Sequence, residues 1–244
     1  MYPESLSQKV ANGMTLQHRF AILSSLVMAT SCLFTLVVTP ATAKDNVWES
    51  SIVAFEEADK YAGYTKEAIL FIGSSSIRLW QTLAEDMAPH PVINRGFGGA
   101  TTVDVLHYAE RIIASHEPRA IVLFVANDIT GKVTDPSVEE AVERFKNFLR
   151  QVATKLPDVP AFVVAVTPTE SRWKVWPTIR KLNRCLAQQC DSMPNVVFVP
   201  TEDIFLGSDG RPVGKLYRSD RLHLSSEGYA CWTKRIRRYL DKRL

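Results

Sequence analysis

Residues 68–76 read Ala-Ile-Leu-Phe-Ile-Gly-Ser-Ser-Ser. The apolar run has no alternation, so it fits a strand buried on both faces rather than one with a wet side. It ends in a glycine and three serines. That ending is either a simple turn or a hydroxyl presented at the carboxyl edge of a parallel sheet, where α/β proteins keep their sites. The rest of the chain settles the architecture. Val92–Asn94, Ala120–Val125, Ala161–Val166 and Val196–Val199 are further short runs rich in Val, Ile and Phe. Helical patterns lie between them, near 76–87, 101–116, 137–155 and 174–190, and a last helix runs from Ser225 or Ser226 to the C-terminus. Asp135-Pro136-Ser137 is a strong start for the third of these. Strands alternating with helices in this way predict an α/β fold, a three-layer α/β/α sandwich around a five-stranded parallel sheet. Residues 44–67 read as an N-terminal helix packing across it.

The 244 residues are 46% hydrophobic and carry a net charge of +3, enough apolar material for one core and too little charge to suggest a polyanionic partner. The basic cluster Lys234-Arg235-Ile236-Arg237-Arg238 fits the solvated face of the last helix, so no nucleic-acid partner is expected. The first 43 residues stand apart. Lys9 and Arg19 precede 19 uncharged residues, Phe20 to Val38, and Ala41-Thr42-Ala43 follows as a cleavage site before Lys44. This is the order of a secretory signal. The apolar stretch is also long enough to span a bilayer, so an uncleaved anchor is the alternative and the only expected membrane contact. Residues 1–43 are therefore read as a targeting segment, residues 44–244 as one exported domain, periplasmic or extracellular. That domain has Cys185, Cys190 and Cys231, an odd number that permits one disulfide at most. No Cys/His spacing suggests a metal, and no cofactor is implied.

The loops after the strands hold the chemistry. A serine hydroxyl becomes a nucleophile only when an imidazole takes its proton, and a carboxylate must orient that imidazole. His90 lies between two prolines, and His107 and His116 fall in a helical pattern; all three read as surface or packing residues. His223 follows Asp220 by three residues, just ahead of the last helix. That spacing allows the carboxylate to hold one ring nitrogen and free the other, although a helix-capping turn accounts for it equally well. The G-x-S-x-G elbow, the G-x-G-x-x-G fingerprint and the Walker A sequence are all absent.

Four loops taken together are more specific. Gly73-Ser74-Ser75, Gly98-Gly99, Ala126-Asn127-Asp128 and Asp220-x-x-His223 occur in this order, after the first, second and third strands and before the last helix. In this the chain resembles the SGNH (GDSL-like) hydrolases, esterases and lipases of flavodoxin-like fold, over about residues 68–240. The resemblance implies Ser75 as nucleophile, with Asp220 and His223 as acid and base. It implies an oxyanion hole of the Ser75 and Gly99 N–H groups and the Asn127 amide. Two positions depart from the family: its aspartate is here Ser74, and the glycine two before its asparagine is here Val125. Ser76 is expected to begin the following helix.

The expected activity is hydrolysis of a small-molecule or carbohydrate ester through an acyl-enzyme on Ser75. Acyl transfer to a glycan, or glycan binding without turnover, are the alternatives. No apolar lid insertion is visible, which favours short acyl groups over long lipid chains. Trp80, Arg172 and Trp173 are the candidate substrate-binding residues, because tryptophans beside a site stack on sugar rings.

Overall fold

A computed structural model describes residues 47–62, 66–113 and 115–244. The expected targeting segment lies outside the described residues. In chain order the elements are α1 (Glu49–Ala62), β1 (Ile69–Gly73), α2 (Ser75–Arg78), α3 (Leu83–Asp86), β2 (Val92–Gly96), α4 (Thr102–Ile113) and β3 (Ala120–Phe124). They continue with α5 (Val138–Lys155), β4 (Ala161–Val164), α6 (Trp176–Asp191), β5 (Val196–Val199), α7 (Glu202–Phe205) and α8 (Ser226–Leu240). The five strands form one parallel sheet in the order β2-β1-β3-β4-β5. The order reverses beside β1, and the crevice at such a switch point is where an open α/β sheet binds its ligands.

Alternation along the strands builds two cores from one sheet. Leu70 and Ile72, Ile121 and Leu123, and Ala161 and Val163 face one side, packed with α1, α4, α5 and α6. Ile69 and Phe71, Ala120 and Val122, and Phe162 and Val164 face the other, packed with the short helices and α8. Successive strand residues point to opposite faces, so an uninterrupted apolar run is what a doubly covered strand requires.

The helices depart from expectation in three places. The pattern at 76–87 is two short helices, because the chain turns at Leu79–Thr82 to drive Trp80 inward, where its Nε1–H donates to Asp86 at 2.6 Å. α4 ends at Ile113, and His116 lies beyond it, buried against Arg95 and Asp59. α6 is entered through a 3₁₀ turn at Trp173–Val175, with Pro177 in its first turn, where a missing N–H is not needed. Cys185 and Cys190 share α6, and all three cysteines of the described residues are free. Burial pushes the Cys190 thiol up to about 12. Among the described residues no helix is long and apolar enough to cross a membrane, and no His, Cys, Asp or Glu cluster is suited to a metal.

Candidate active site

Asp220, Arg221, Leu222 and His223 form a tight turn in the long segment between α7 and α8. Asp220 Oδ1 accepts from the N–H groups of Leu222 and His223, at 2.9 Å each. Oδ2 faces His223 Nδ1 at 2.7 Å. One carboxylate thus shapes the turn and orients the ring. Burial alone would raise the Asp220 carboxyl, but the hydrogen bonds from the His223 ring, His223 N–H and Leu222 N–H outweigh it and bring it down to about 2. Arg221 takes a left-handed φ of 56° to complete the turn, a conformation that costs a side-chain-bearing residue about 1 kcal/mol or more. Surrounding bonds hold it there: its carbonyl accepts from Ser171 N–H at 3.2 Å, and its guanidinium pairs with Glu170. The turn does not cap the following helix, because Ser225 does so, accepting from Gly228 N–H at 3.2 Å.

The free ring nitrogen, His223 Nε2, lies 2.9 Å from Ser75 Oγ. The structure therefore brings Ser75, His223 and Asp220 into one hydrogen-bonded relay. Ser75 itself, not Ser76, begins α2, and its N–H precedes any intrahelical partner. Ser74 is buried where β1 meets α2; its N–H donates to the Phe124 carbonyl at 3.1 Å and its own carbonyl accepts from Ile77 and Arg78. A backbone role of this kind does not depend on a carboxylate side chain.

Gly99 and Asn127 line the same cleft as the serine. Gly99 has φ 82°, which glycine adopts freely, and its N–H has no hydrogen-bond partner among the described residues. Asn127 is held by both ends of its amide. One N–H donates to the Ala100 carbonyl at 2.9 Å, and Oδ1 accepts from Arg172 at 2.7 Å. Since Oδ1 is occupied by a donor, the amide cannot flip, and its second N–H is left for a ligand. Asp128 anchors the same loop, accepting from Thr102 N–H and hydroxyl at 3.1 and 2.7 Å and pairing with Arg144. Val125 is buried in the core and leaves Asn127 lining the cleft.

The three candidate substrate-binding residues are elsewhere engaged. Trp80 is 1% exposed, stacked on Tyr229 and edge-on to Phe71; it is a core residue and no ligand reaches it. Its apolar neighbours are distant in sequence, which is why adjacency to Ser75 misled. Trp173 lies parallel to Trp176 with Arg211 over its ring, and lines neither space around Ser75. Arg172 does line the site, but its guanidinium is committed to the Ala126 carbonyl and Asn127 Oδ1. Burial lowers its pKa from the usual value, with no carboxylate bonded to it. Trp48 was absent from the expected site. Its Nε1–H donates to the Gly98 carbonyl at 2.8 Å and so secures the loop that carries Gly99. Only a contact across 50 residues reveals it.

Two spaces meet at Ser75, Asn127, Leu222 and His223. One is narrow and only partly open, bounded also by Ser74, Thr169 and Arg172, with a volume of about 20 Å³, little more than one water needs. Thr169 Oγ1 is buried there without a hydrogen-bond partner among the described residues. The other is an open cleft walled by Trp48, Arg78, Gly98 and Gly99.

Residues 62–231 match the model of the GDSL-like Lipase/Acylhydrolase family. No curated protein sequence matches the chain. Among solved structures, a Streptococcus pneumoniae protein provisionally named a platelet activating factor is 23% identical, with a TM-score of 0.69 over 79% of this chain and 92% of that one. A GDSL-like lipase from Bacteroides thetaiotaomicron is 16% identical, with a TM-score of 0.63 over 81% and 97%. A carbohydrate esterase of family 3 from Talaromyces cellulolyticus is 13% identical, with a TM-score of 0.55 over 72% and 97%. At these identities the likeness is one of fold.

Proposed function

Because the chain belongs to the GDSL-like lipase/acylhydrolase family, whose activity is hydrolysis of esters, we propose that it is an exported serine esterase acting on short-chain, above all acetyl, esters. The observation that carries the serine mechanism is the relay from Ser75 through His223 to Asp220, at 2.9 and 2.7 Å, opening beside unpaired N–H groups. His223 Nε2 takes the hydroxyl proton as Ser75 Oγ bonds to the acyl carbon. The carbonyl oxygen gains the electron pair and becomes the oxyanion, facing the N–H groups of Ser75 and Gly99 and the Asn127 amide. When the tetrahedral intermediate collapses, the C–O bond to the alcohol breaks and His223 returns the proton to the departing oxygen. Water repeats the sequence on the acyl-serine and releases the carboxylic acid. Asp220 stays ionised throughout and stabilises the imidazolium.

The narrow space beside Ser75 supports the short acyl group. A volume of about 20 Å³ suits a methyl-sized group. Export rests on the order of basic, apolar and small residues before Lys44. Two measurements test the proposal. A phosphonate serine probe should label Ser75 in the intact protein and not in Ser75→Ala. Across 4-nitrophenyl acetate, butyrate and octanoate, kcat/KM should fall with chain length. A protein that rejects the probe and all three esters is a binding module, and one that prefers octanoate has its acyl site elsewhere.

A further inference from the structure

We infer that the alcohol part of the substrate carries an anionic group, a carboxylate or phosphate, which Arg78 binds at the lip of the open cleft. The inference rests on the esterase reading and names the substrate class within it. Arg78 closes α2, the single turn that starts at Ser75, so the chain itself sets it beside the nucleophile. It lines the cleft with Ser75, Gly99, Asn127 and His223, and it is exposed.

Its side chain is placed against the oxyanion loop. A Cβ at Gly98 would come within 2.9 Å of Arg78 Nε and 3.4 Å of Nη2, so the bare backbone at that position is what lets the guanidinium lie there. The Gly98 carbonyl is tied on its own account by Trp48. The loop and the cation therefore share one support.

The charge has no acid to meet. Among the described residues the Arg78 guanidinium makes no ion pair or hydrogen bond, and no carboxylate lines the cleft. Other arginines on this half of the molecule are committed: Arg221 to Glu170, Arg235 to Asp203, and Arg172 to Ala126 and Asn127. Asp220, the acid of the relay, uses both its oxygens within its own turn. An unneutralised guanidinium with its planar fork open suits an oxyanion in a bidentate pair. With the acyl group in the narrow space, the larger, charged part of the ester falls to the open cleft on the Arg78 side.

The test compares kcat/KM for three aryl acetates: 4-acetoxybenzoate, 4-acetoxyphenyl phosphate, and the neutral methyl 4-acetoxybenzoate. Taking the anionic-to-neutral ratio in each variant cancels differences between leaving groups. In Arg78→Gln the ratio should drop about fivefold or more relative to wild type, as expected for loss of a charge-assisted pair at a partly open site. Arg78→Lys should keep part of it and Arg78→Glu should lower it further. The drop should shrink at 1 M salt, where screening is nearly complete. The arm that falls more, carboxylate or phosphate, identifies the anion. An unchanged ratio in both Arg78→Gln and Arg78→Glu, with both variants folded by circular dichroism, overturns the inference while leaving the esterase reading intact. Failure of wild type on all three esters defeats the esterase reading first.

Discussion

The two halves of the site are built differently. The relay of Asp220, His223 and Ser75 is made by two short segments, each nearly complete in itself: a four-residue turn and the start of α2. The half proposed as the oxyanion hole is assembled from parts that support one another at long range. Asn127 depends on Ala100 and Arg172, and the Gly99 loop depends on Trp48. The difference teaches that each relay segment is shaped locally and the fold has only to bring the two together, Ser75 meeting His223 across 148 residues, whereas the aim of the proposed oxyanion donors is set throughout by the packed molecule.

Changes in the relay should have the largest effect. Ser75→Ala or His223→Ala should lower kcat on a soluble acetate ester by about 10⁴-fold or more, and the double variant should be scarcely worse, because the pair acts as a unit. Thermal unfolding of the same preparations should be little changed. Equal loss in Ser74→Ala would break the assignment of the nucleophile.

Asp220→Asn should cost about 10³- to 10⁴-fold in kcat. Its pH behaviour gives a separate check. The Asp220 carboxyl is brought down to about 2 in the folded protein, against about 3.9 for an unperturbed aspartate. Its contribution to stability is therefore present above about pH 4 and lost as pH falls towards 2. Between pH 4 and 8 Asp220 remains charged, so the acid-side loss of thermal stability should begin only below about pH 4 in the wild type and be weakened in Asp220→Asn.

In the other half, Asn127→Ala should lower kcat about 100-fold or more with KM little changed, since an oxyanion donor acts mainly in the transition state. Arg172→Gln sharpens the comparison. It should lower kcat about tenfold in the wild-type background and hardly at all in Asn127→Ala, because non-additivity is the signature of a residue acting through another. Additive losses carried by KM would make Arg172 a substrate-binding residue after all. Trp48→Phe should have the smallest effect, a few-fold in kcat and about 1 kcal/mol in stability, for one hydrogen bond lost with the ring retained.

Fold legibility followed the same division. Unbroken apolar runs such as Ile69–Gly73 cannot be half-exposed strands, so the parallel, doubly covered sheet was readable from Ala68 onward. The strands lie close to the expected runs, and α5 and α8 begin where Ser137 and Ser225 supply their caps. The split of residues 76–87 was not readable, because it depends on Trp80 finding Phe71, Tyr229 and Trp232 across the fold.

The sequence by itself determined the strand-and-helix order and put Ser75, Gly99, Asn127 and the Asp220–His223 turn at the carboxyl edge of the sheet. These follow from periodicity, glycine and short-range spacing, which act between residues a few positions apart. Only the tertiary structure decided what each tryptophan and arginine does. Trp80 is core, Trp48 secures the Gly99 loop, Arg172 holds Asn127, and Arg78 is left without a partner among the described residues. A long side chain reaches whatever the fold brings near it, and the nearest polar group is a matter of distance in space, which no local pattern records.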